Sequence, residues 1–274
     1  MFNAALWKKA IRDAWKQLLA SSAVLLLFAW LFVWLMSQFK VGAWQTLLNL
    51  IPDFMQPLLG VPLARLASVE GQLSVLFVHI VTLLVCVGWA VGRGSDVVSG
   101  EIARGSMEHL MALPVWRPSL LVPPLVVATV GAAVLGGMLW LGLLVALRTV
   151  ELADPPAAAV FLPGVVNLAA LTICMTGIAT AISSWGHDRW RAIWWSIGVF
   201  VVSQIVEMVS RLWSEGAWLK YLTPLAAFQP QRLILVADQS HTLFVYTAAL
   251  LSVALAGYLT AAAVLSVRDI PLSR

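Results

Sequence analysis

The sequence predicts an all-α membrane protein with six transmembrane helices, an N-terminal interfacial amphipathic helix and both termini in the cytoplasm. Its 274 residues are 61% hydrophobic and 11% charged, and the mean hydropathy is +0.91. Soluble domains carry about 25% charged residues, so a water-soluble globule is excluded. Six apolar segments approach or exceed the roughly 20 residues that a helix needs to cross a bilayer. They lack the alternation of a strand, so each is expected to be helical.

Residues 1–19 predict an amphipathic helix. At helical spacing, apolar side chains such as Trp7, Ile11 and Trp15 share one face, and the other face carries the basic residues. A basic amphipathic helix of this kind lies in a membrane interface. We therefore expect it to lie along the inner leaflet before the chain turns into the first span. The absence of a small-residue cleavage site behind the first span indicates that no signal peptide is removed.

Residues 20–265 form the predicted membrane domain, followed by a cytoplasmic tail at 266–274. The spans are predicted at about 20–36, 73–91, 120–147, 160–182, 192–210 and 243–265. The third is long enough to tilt or to project beyond the bilayer. The stretches 38–72 and 211–242 are apolar but interrupted by proline, which predicts interfacial or partly re-entrant helices on the outer side.

The distribution of basic residues predicts the orientation, because cytoplasmic loops are enriched in lysine and arginine. With both termini inside, the outer segments hold six basic residues: Lys40, Arg65, Arg148, Arg211, Lys220 and Arg232. The inner segments hold eleven: Lys8, Lys9, Arg12, Lys16, Arg93, Arg104, Arg117, Arg189, Arg191, Arg268 and Arg274. This asymmetry favours cytoplasmic termini and a multi-pass protein of the inner (cytoplasmic) cell membrane.

The sequence contains no recognisable motif for a catalytic, nucleotide-binding or metal site. None of the five lysines belongs to a phosphate-binding glycine loop, so no ATP site is expected. The four histidines lie in four different segments without ligand spacing, so neither a metal nor another cofactor is expected in this chain. Cys86 and Cys174 fall inside apolar runs and are interpreted as small buried side chains. The modest net charge of +4 is interpreted as topology and headgroup contact, not nucleic-acid binding.

Two ionisable residues within or near the spans are candidates for a transport pathway, since charge in hydrocarbon is usually retained for function. His79 lies in the second predicted span, and Glu207 lies near the outer end of the fifth with Arg211 four residues later. A hydrogen-bonded bundle histidine and a locally neutralised ion pair are the plainer interpretations. An ion-coupled carrier normally needs more such groups.

A polar island of residues 95–117 interrupts this apolar chain between the second and third spans. It contains Glu101, Arg104, Glu108 and His109. Ser106 is placed to cap a short helix, and Pro114 is placed to end it. Met107, Leu110 and Met111 share one face of this two-turn helix, which is too short to be stable alone in water. We expect a partner's groove or the membrane surface to cover that face.

The island resembles the cytoplasmic loop of ABC-2 type transporter permeases. The resemblance rests on Gly100-Glu101, Gly105-Ser106, an acidic position at Glu108, and Leu113-Pro114-Val115 followed by the basic Arg117. Ser106 stands where the family usually has threonine. The six spans, the basic N-terminal helix and the stretch from Pro224 to Arg232 resemble the family less specifically.

The resemblance implies that the island is a coupling helix that docks on a separate ATP-binding cassette subunit. That subunit would bind ATP and Mg²⁺, and a second permease copy would complete the translocation path, so this chain would not itself be an enzyme. The residues implied in docking are Glu101, Arg104, Met107, Glu108, Leu110 and Met111, with a lesser contact from His187, Asp188 and Arg189.

The sequence leaves two other functions open. One is a membrane anchor or sensor that uses the same ATPase without moving a solute, and the other is an ion-coupled secondary carrier. For a transporter, the aromatic-rich and weakly charged bundle favours export of an amphipathic or lipid-like substrate. The same tryptophans are equally expected as interfacial and packing residues.

Overall fold

The computed structural model describes residues 4–38, 41–111, 116–152, 154–236 and 239–267, and these residues form helices joined by turns. The α-helices are α1 (Ala4–Ser37), α2 (Val41–Asn49), α3 (Gln56–Leu59), α4 (Leu63–Leu66), α5 (Val69–Val78), α6 (Ile80–Ser95), α7 (Glu101–Ala103), α8 (Ser106–Met111), α9 (Val122–Thr149), α10 (Leu162–Trp185), α11 (Arg189–Leu212), α12 (Pro230–Leu235) and α13 (Gln239–Val267). A π-helical turn, Asp96–Gly100, joins α6 to α7. Shorter 3₁₀ turns are Asp53–Met55, Arg117–Leu121, Ala158–Phe161, Ala217–Leu222 and Pro224–Ala227.

Six helical segments in the described residues are long and apolar enough to cross a membrane, which confirms the predicted number. They are Ala4–Ser37, Val69–Ala103, Arg117–Thr149, Ala158–Trp185, Arg189–Leu212 and Ser240–Val267. The helix end predicted at Pro114 and most of the predicted tail at 266–274 lie outside the described residues.

The N-terminal region departs from the prediction of a separate interfacial helix. The helix continues from Ala4 to Ser37 without the predicted turn near residue 20. This stretch contains neither glycine nor proline, the residues that most readily end or kink a helix. The amphipathic segment is therefore the first half of one long helix, and its lysines extend the first span at that end.

The second span is divided at His79. His79 has an extended backbone, with φ −65° and ψ 142°, and separates α5 from α6. Its Nδ1 accepts a hydrogen bond from the backbone N–H of Val81 at 3.2 Å, which caps α6. The imidazole also packs on two phenylalanines of α1, with ring centroids 4.8 Å from Phe28 and 5.7 Å from Phe32.

Helix α10 is the centre of the bundle and contacts α6, α9, α11 and α13. Its closest approach is to α13, where a Cβ added at Gly177 would lie 2.6 Å from the Ala254 Cα, and one at Gly257 would lie 2.4 Å from the Gly177 oxygen. Small residues at such crossings let membrane helices pack closely in lipid. Helix α1 packs mainly along α9, so the first and third spans form a second layer.

The two proline-interrupted stretches form the short helices α2 to α4 and α12 with their 3₁₀ turns. Their helical structure agrees with the prediction. They gather at one end of the bundle, where the indole of Trp44 donates to the Leu66 oxygen at 2.8 Å. At the same end, Arg211 donates to the Leu58 oxygen at 2.9 Å. The polar island lies at the opposite end of the bundle. Helix α11 shows this, because its first residue, Arg189, contacts Asp96 of the island, whereas Arg211, near its last residue, contacts Leu58.

Candidate functional site

The charged segment, defined as Asp96–Met111, leaves the bundle as a continuation of α6. The π-helical turn leads into α7, and α8 follows a turn at Gly105, whose φ of 70° lies in the left-handed region. Glycine adopts that conformation without the strain that a Cβ would add. The turn folds α8 back against α7.

Glu101 is the buried centre of the segment, with 7% of its surface exposed. Its carboxylate accepts hydrogen bonds from the Lys9 ammonium, from Arg104 Nη2 at 2.8 Å and from the Ser106 hydroxyl at 2.5 Å. A buried carboxylate is tolerated when its oxygens are paired and hydrogen-bonded in this way. Because Lys9 belongs to α1, Glu101 ties the charged segment to the first span.

Asp96 forms a second ionic centre beside Glu101. It accepts Arg104 Nη1 at 2.7 Å and lies 3.3 Å from Nη1 of Arg189, the first residue of α11. Burial lowers the pKa of the Arg104 guanidinium, but its hydrogen bonds and charge interactions with Asp96 and Glu101 outweigh burial and raise that pKa above its usual value. Arg104 thus bridges both carboxylates, and the segment is tied to α11 as well as α1.

The π-helical turn is held by serines from two helices. The Ser183 hydroxyl of α10 accepts the backbone N–H of Ser99 at 2.9 Å and donates to the Ser95 oxygen at 2.9 Å. The Ser99 hydroxyl also donates to the Ser95 oxygen at 2.8 Å. A π-turn widens the helix and disturbs its hydrogen-bond ladder, and these hydroxyls satisfy groups there inside the bundle.

The apolar face of α8 is covered by this chain itself, at variance with the expectation that a partner's groove or the membrane surface would cover it. Met107 is 3% exposed and packs in a small core with Val98, Leu121 and Leu265. Leu110 and Met111 are partly buried against the same core. The neighbouring ends of α9 and α13 supply enough apolar surface to bury a two-turn helix. Ser106 also differs from its expected role, because it is the first residue of α8 and its hydroxyl donates to Glu101.

Polar side chains form the remaining outer surface of the charged segment. His109 is exposed, the Arg104 side chain is 43% exposed, and Glu108 is half-buried. Next to them is an open depression of about 580 Å³, and its charged lining includes more basic side chains (Lys9, Arg12, Arg93, Arg104, Arg189) than acidic ones (Asp13, Asp96). No group of three or more possible metal ligands occurs in the described ranges. The depression therefore presents a surplus of positive charge beside the charged segment.

The loop between α10 and α11 lies beside the same cluster. Asp188 caps α11 by accepting the Trp190 N–H at 2.9 Å. Arg189 donates to the Gly92 oxygen at 3.4 Å besides facing Asp96. Of the predicted triplet, Arg189 thus joins the charged segment, whereas Asp188 caps its own helix.

The two pathway candidates lie outside the charged segment. His79 caps α6, and Glu207 is 7% exposed and accepts Arg211 Nε at 2.8 Å, which confirms the predicted pair. The other Glu207 oxygen, Oε2, has no hydrogen-bond partner in the described part of the chain. The geometry gives His79 a structural function in the second span.

Sequence reasoning missed Lys9, Asp13, Arg93 and Asp96 as members of this cluster. Lys9 and Asp13 are 3.4 Å apart as an i, i+4 pair on α1, and Arg93 donates to the backbone carbonyl oxygen of Asp13 at 3.0 Å. The one available signal was the clustering of opposite charges at the ends of two adjacent spans. Which charge meets which depends on the crossing of α1 over α6.

A comparison with protein families shows the family of this chain. Residues 7–269 match the sequence model of the ABC-2 family transporter protein. The chain belongs to this family. Members are multi-pass membrane proteins that normally lack the ATPase domain and generally work with an ABC ATPase. A comparison with curated proteins finds no match for this ABC-2 protein.

Proposed function

We propose that this ABC-2 protein is the transmembrane half of an exporter, and that its charged segment docks on a separate ABC ATPase. A second copy, or a close homologue, would complete the translocation path. In this arrangement the ATPase binds ATP and Mg²⁺, and both termini and the charged segment face the cytoplasm across the inner membrane. The family match supports the transporter class, and the charge asymmetry supports the orientation.

The observation that carries the proposal is the attachment of the charged segment to three spans through its backbone and ion pairs, and to two more through apolar packing. The segment continues α6 through the π-turn, binds Lys9 of α1 through Glu101, and contacts Arg189 of α11 through Asp96. The buried Met107 anchors α8 to the ends of α9 and α13. A displacement of its outer surface therefore cannot be absorbed by a loose loop.

This attachment suggests how ATP would drive the permease. Closure of the ATPase dimer would displace α8, and the ion pairs would pass that displacement to the first, second and fifth spans together. The bundle would then move between two packed states, one open to the inside and one open to the outside. Arg104, Glu108 and His109 would form the outer contact, with Glu101, Met107, Leu110 and Met111 holding its shape from within.

Reversal of charge at Glu108 tests the docking. We expect E108K to lower co-purification with the ABC ATPase and to abolish stimulation of ATP hydrolysis, because the contact would then carry the wrong charge. E215K, at the opposite end of the bundle, is the matched control and should behave as the native protein. If E108K retained full stimulation and transport, the docking assignment would be wrong.

The same preparation separates the alternative functions. An ion-coupled carrier would not associate with an ATPase at all. An anchor or sensor would associate with it and stimulate hydrolysis, but ATP would not change the distribution of any amphipathic solute across proteoliposomes. We expect both association and ATP-dependent export of an amphipathic or lipid-like solute.

A further inference from the structure

At the end of the bundle opposite the charged segment, two adjoining chambers share one wall and are otherwise lined by different side chains. One, of about 540 Å³, has a wall that is mostly apolar, including Trp44, Ile51, Val78 and Phe228. The other, of about 910 Å³, is lined by three basic side chains and two tyrosines. Small-molecule sites usually occupy about 300–1,000 Å³, so each chamber has the size of a ligand site.

The two chambers share one polar boundary. Gly60, Glu207, Arg211, Gln229 and Arg232 line both of them. Arg211 is fixed there by Glu207 at 2.8 Å and by the Leu58 oxygen at 2.9 Å. A Cβ added at Gly60 would lie 2.6 Å from the Arg211 guanidinium, so this glycine leaves room for the arginine.

The larger chamber carries surplus positive charge. Glu207 is the one carboxylate among the described residues that line it, and Arg211 already neutralises Glu207. Lys220 and Arg232 remain. Lys220 lies over the Tyr221 ring, with its ammonium 5.1 Å from the centroid, and Arg232 donates to the Tyr246 hydroxyl at 3.2 Å. Both cations are therefore positioned by neighbouring aromatic residues.

We infer that the paired chambers bind an anionic amphiphile, with a phosphate, sulfate or carboxylate near Lys220 and Arg232 and its hydrocarbon part in the apolar chamber. Charge complementarity selects the anionic group, since basic side chains form strong hydrogen bonds with such oxygens. The apolar chamber supplies burial for a chain that water disfavours. This inference rests on the proposed export function and names the charge of its cargo.

The direct test measures binding of dodecyl phosphate to the full-length protein in phosphatidylcholine nanodiscs. We expect saturable binding that is about tenfold weaker in the double variant K220Q/R232Q. The matched control is R148Q, which removes an exposed basic residue at the same end but outside both chambers, and it should bind as the native protein does. Because Lys220, Arg232 and Arg148 are all exposed, these variants should fold.

Two comparison ligands separate the contributions of charge and chain. Inorganic phosphate should bind much more weakly than dodecyl phosphate, and uncharged dodecyl maltoside should be insensitive to K220Q/R232Q. If inorganic phosphate bound as tightly as dodecyl phosphate, the apolar chamber would have no role in binding, and that part of the inference would be wrong. If R148Q lost as much dodecyl phosphate binding as K220Q/R232Q, the effect would come from general surface charge, and the assignment of the binding site would be wrong.

A third experiment distinguishes a transported cargo from a resident lipid. It also tests this inference separately from the proposed function. Dodecyl phosphate occupancy should change when the associated ATPase is trapped with ATP, and an unchanged occupancy would identify a resident lipid and overturn the cargo assignment. Association with the ATPase is scored on the same sample. Loss of binding with intact association overturns only the anionic cargo, whereas binding without association overturns the export function.

Discussion

Glu101 shows how one side chain joins distant parts of this protein. Its carboxylate accepts hydrogen bonds from Lys9, Arg104 and Ser106, and Lys9 is 92 residues away in the sequence. Removing one member of a buried ionic group is costly because the remaining charges stay desolvated without their partner. The side chain is thus a structural requirement of the charged segment.

The substitution E101Q should lower the free energy of unfolding by about 2 kcal/mol, since glutamine keeps the shape and one acceptor but loses the charge that pairs with Lys9 and Arg104. Thermal unfolding of the purified protein, followed by fluorescence, measures the change. The exposed Glu215 provides the matched control, and E215Q should change stability by less than about 0.5 kcal/mol. Equal effects of the two variants would contradict the assigned role of Glu101.

The residue scale is also where sequence reasoning was least complete. The family resemblance placed Glu101 and Arg104 in one segment, but their partners Lys9, Asp96 and Arg189 depend on how α1 and α11 approach α6. Likewise, the i, i+3, i+4 pattern of Met107, Leu110 and Met111 predicts a buried face without saying what buries it. Only the fold shows that α9 and α13 of the same chain cover Met107.

At the scale of elements, the bundle depends on close contact between α10 and α13. Gly177 and Gly257 face each other at this crossing, where side chains would collide with backbone. Since lipid tails solvate apolar side chains well, membrane helices gain stability mainly from such close packing. The absence of a side chain at these two positions is therefore the structural feature that joins the fourth and sixth spans.

We expect G257A to destabilise the protein by about 1–3 kcal/mol, because its Cβ would lie 2.4 Å from the Gly177 oxygen and the helices would have to separate. Gly137 of α9 is the control, since a Cβ there meets nothing within 4 Å. G137A should leave stability unchanged or raise it by up to about 1 kcal/mol through helix propensity. Thermal unfolding of both variants measures the difference, and a neutral G257A would contradict the close crossing.

Hydropathy predicted the number of membrane helices because that property depends on local composition. It could not predict the break at His79, since the surrounding residues 73–91 are predominantly apolar and contain no proline. The change from an amphipathic to an apolar pattern also led to the prediction of a turn near residue 20. No residue there ends a helix, and α1 continues through it. Composition identifies helices in a membrane, but their boundaries depend on capping and packing.

For the whole molecule, the two ends of the bundle have different chemistry. One end carries the ion-paired charged segment, and the other carries the short helices with the paired chambers. Helices α6 and α11 connect them, since α6 leads into the segment and α11 runs from Arg189 to the Glu207–Arg211 pair. This connection gives a physical route by which ATPase docking at one end could change a ligand site at the other.

Cross-linking gives a direct test of whether an ABC ATPase docks on the charged segment. In the described residues the native cysteines, Cys86 and Cys174, are buried, so H109C would supply an accessible thiol on α8. We expect H109C to form a disulfide with single-cysteine ABC ATPase variants in the assembled complex, and R148C at the opposite end to form none. An intact complex in which R148C cross-links, or in which H109C never does, would contradict docking at this segment.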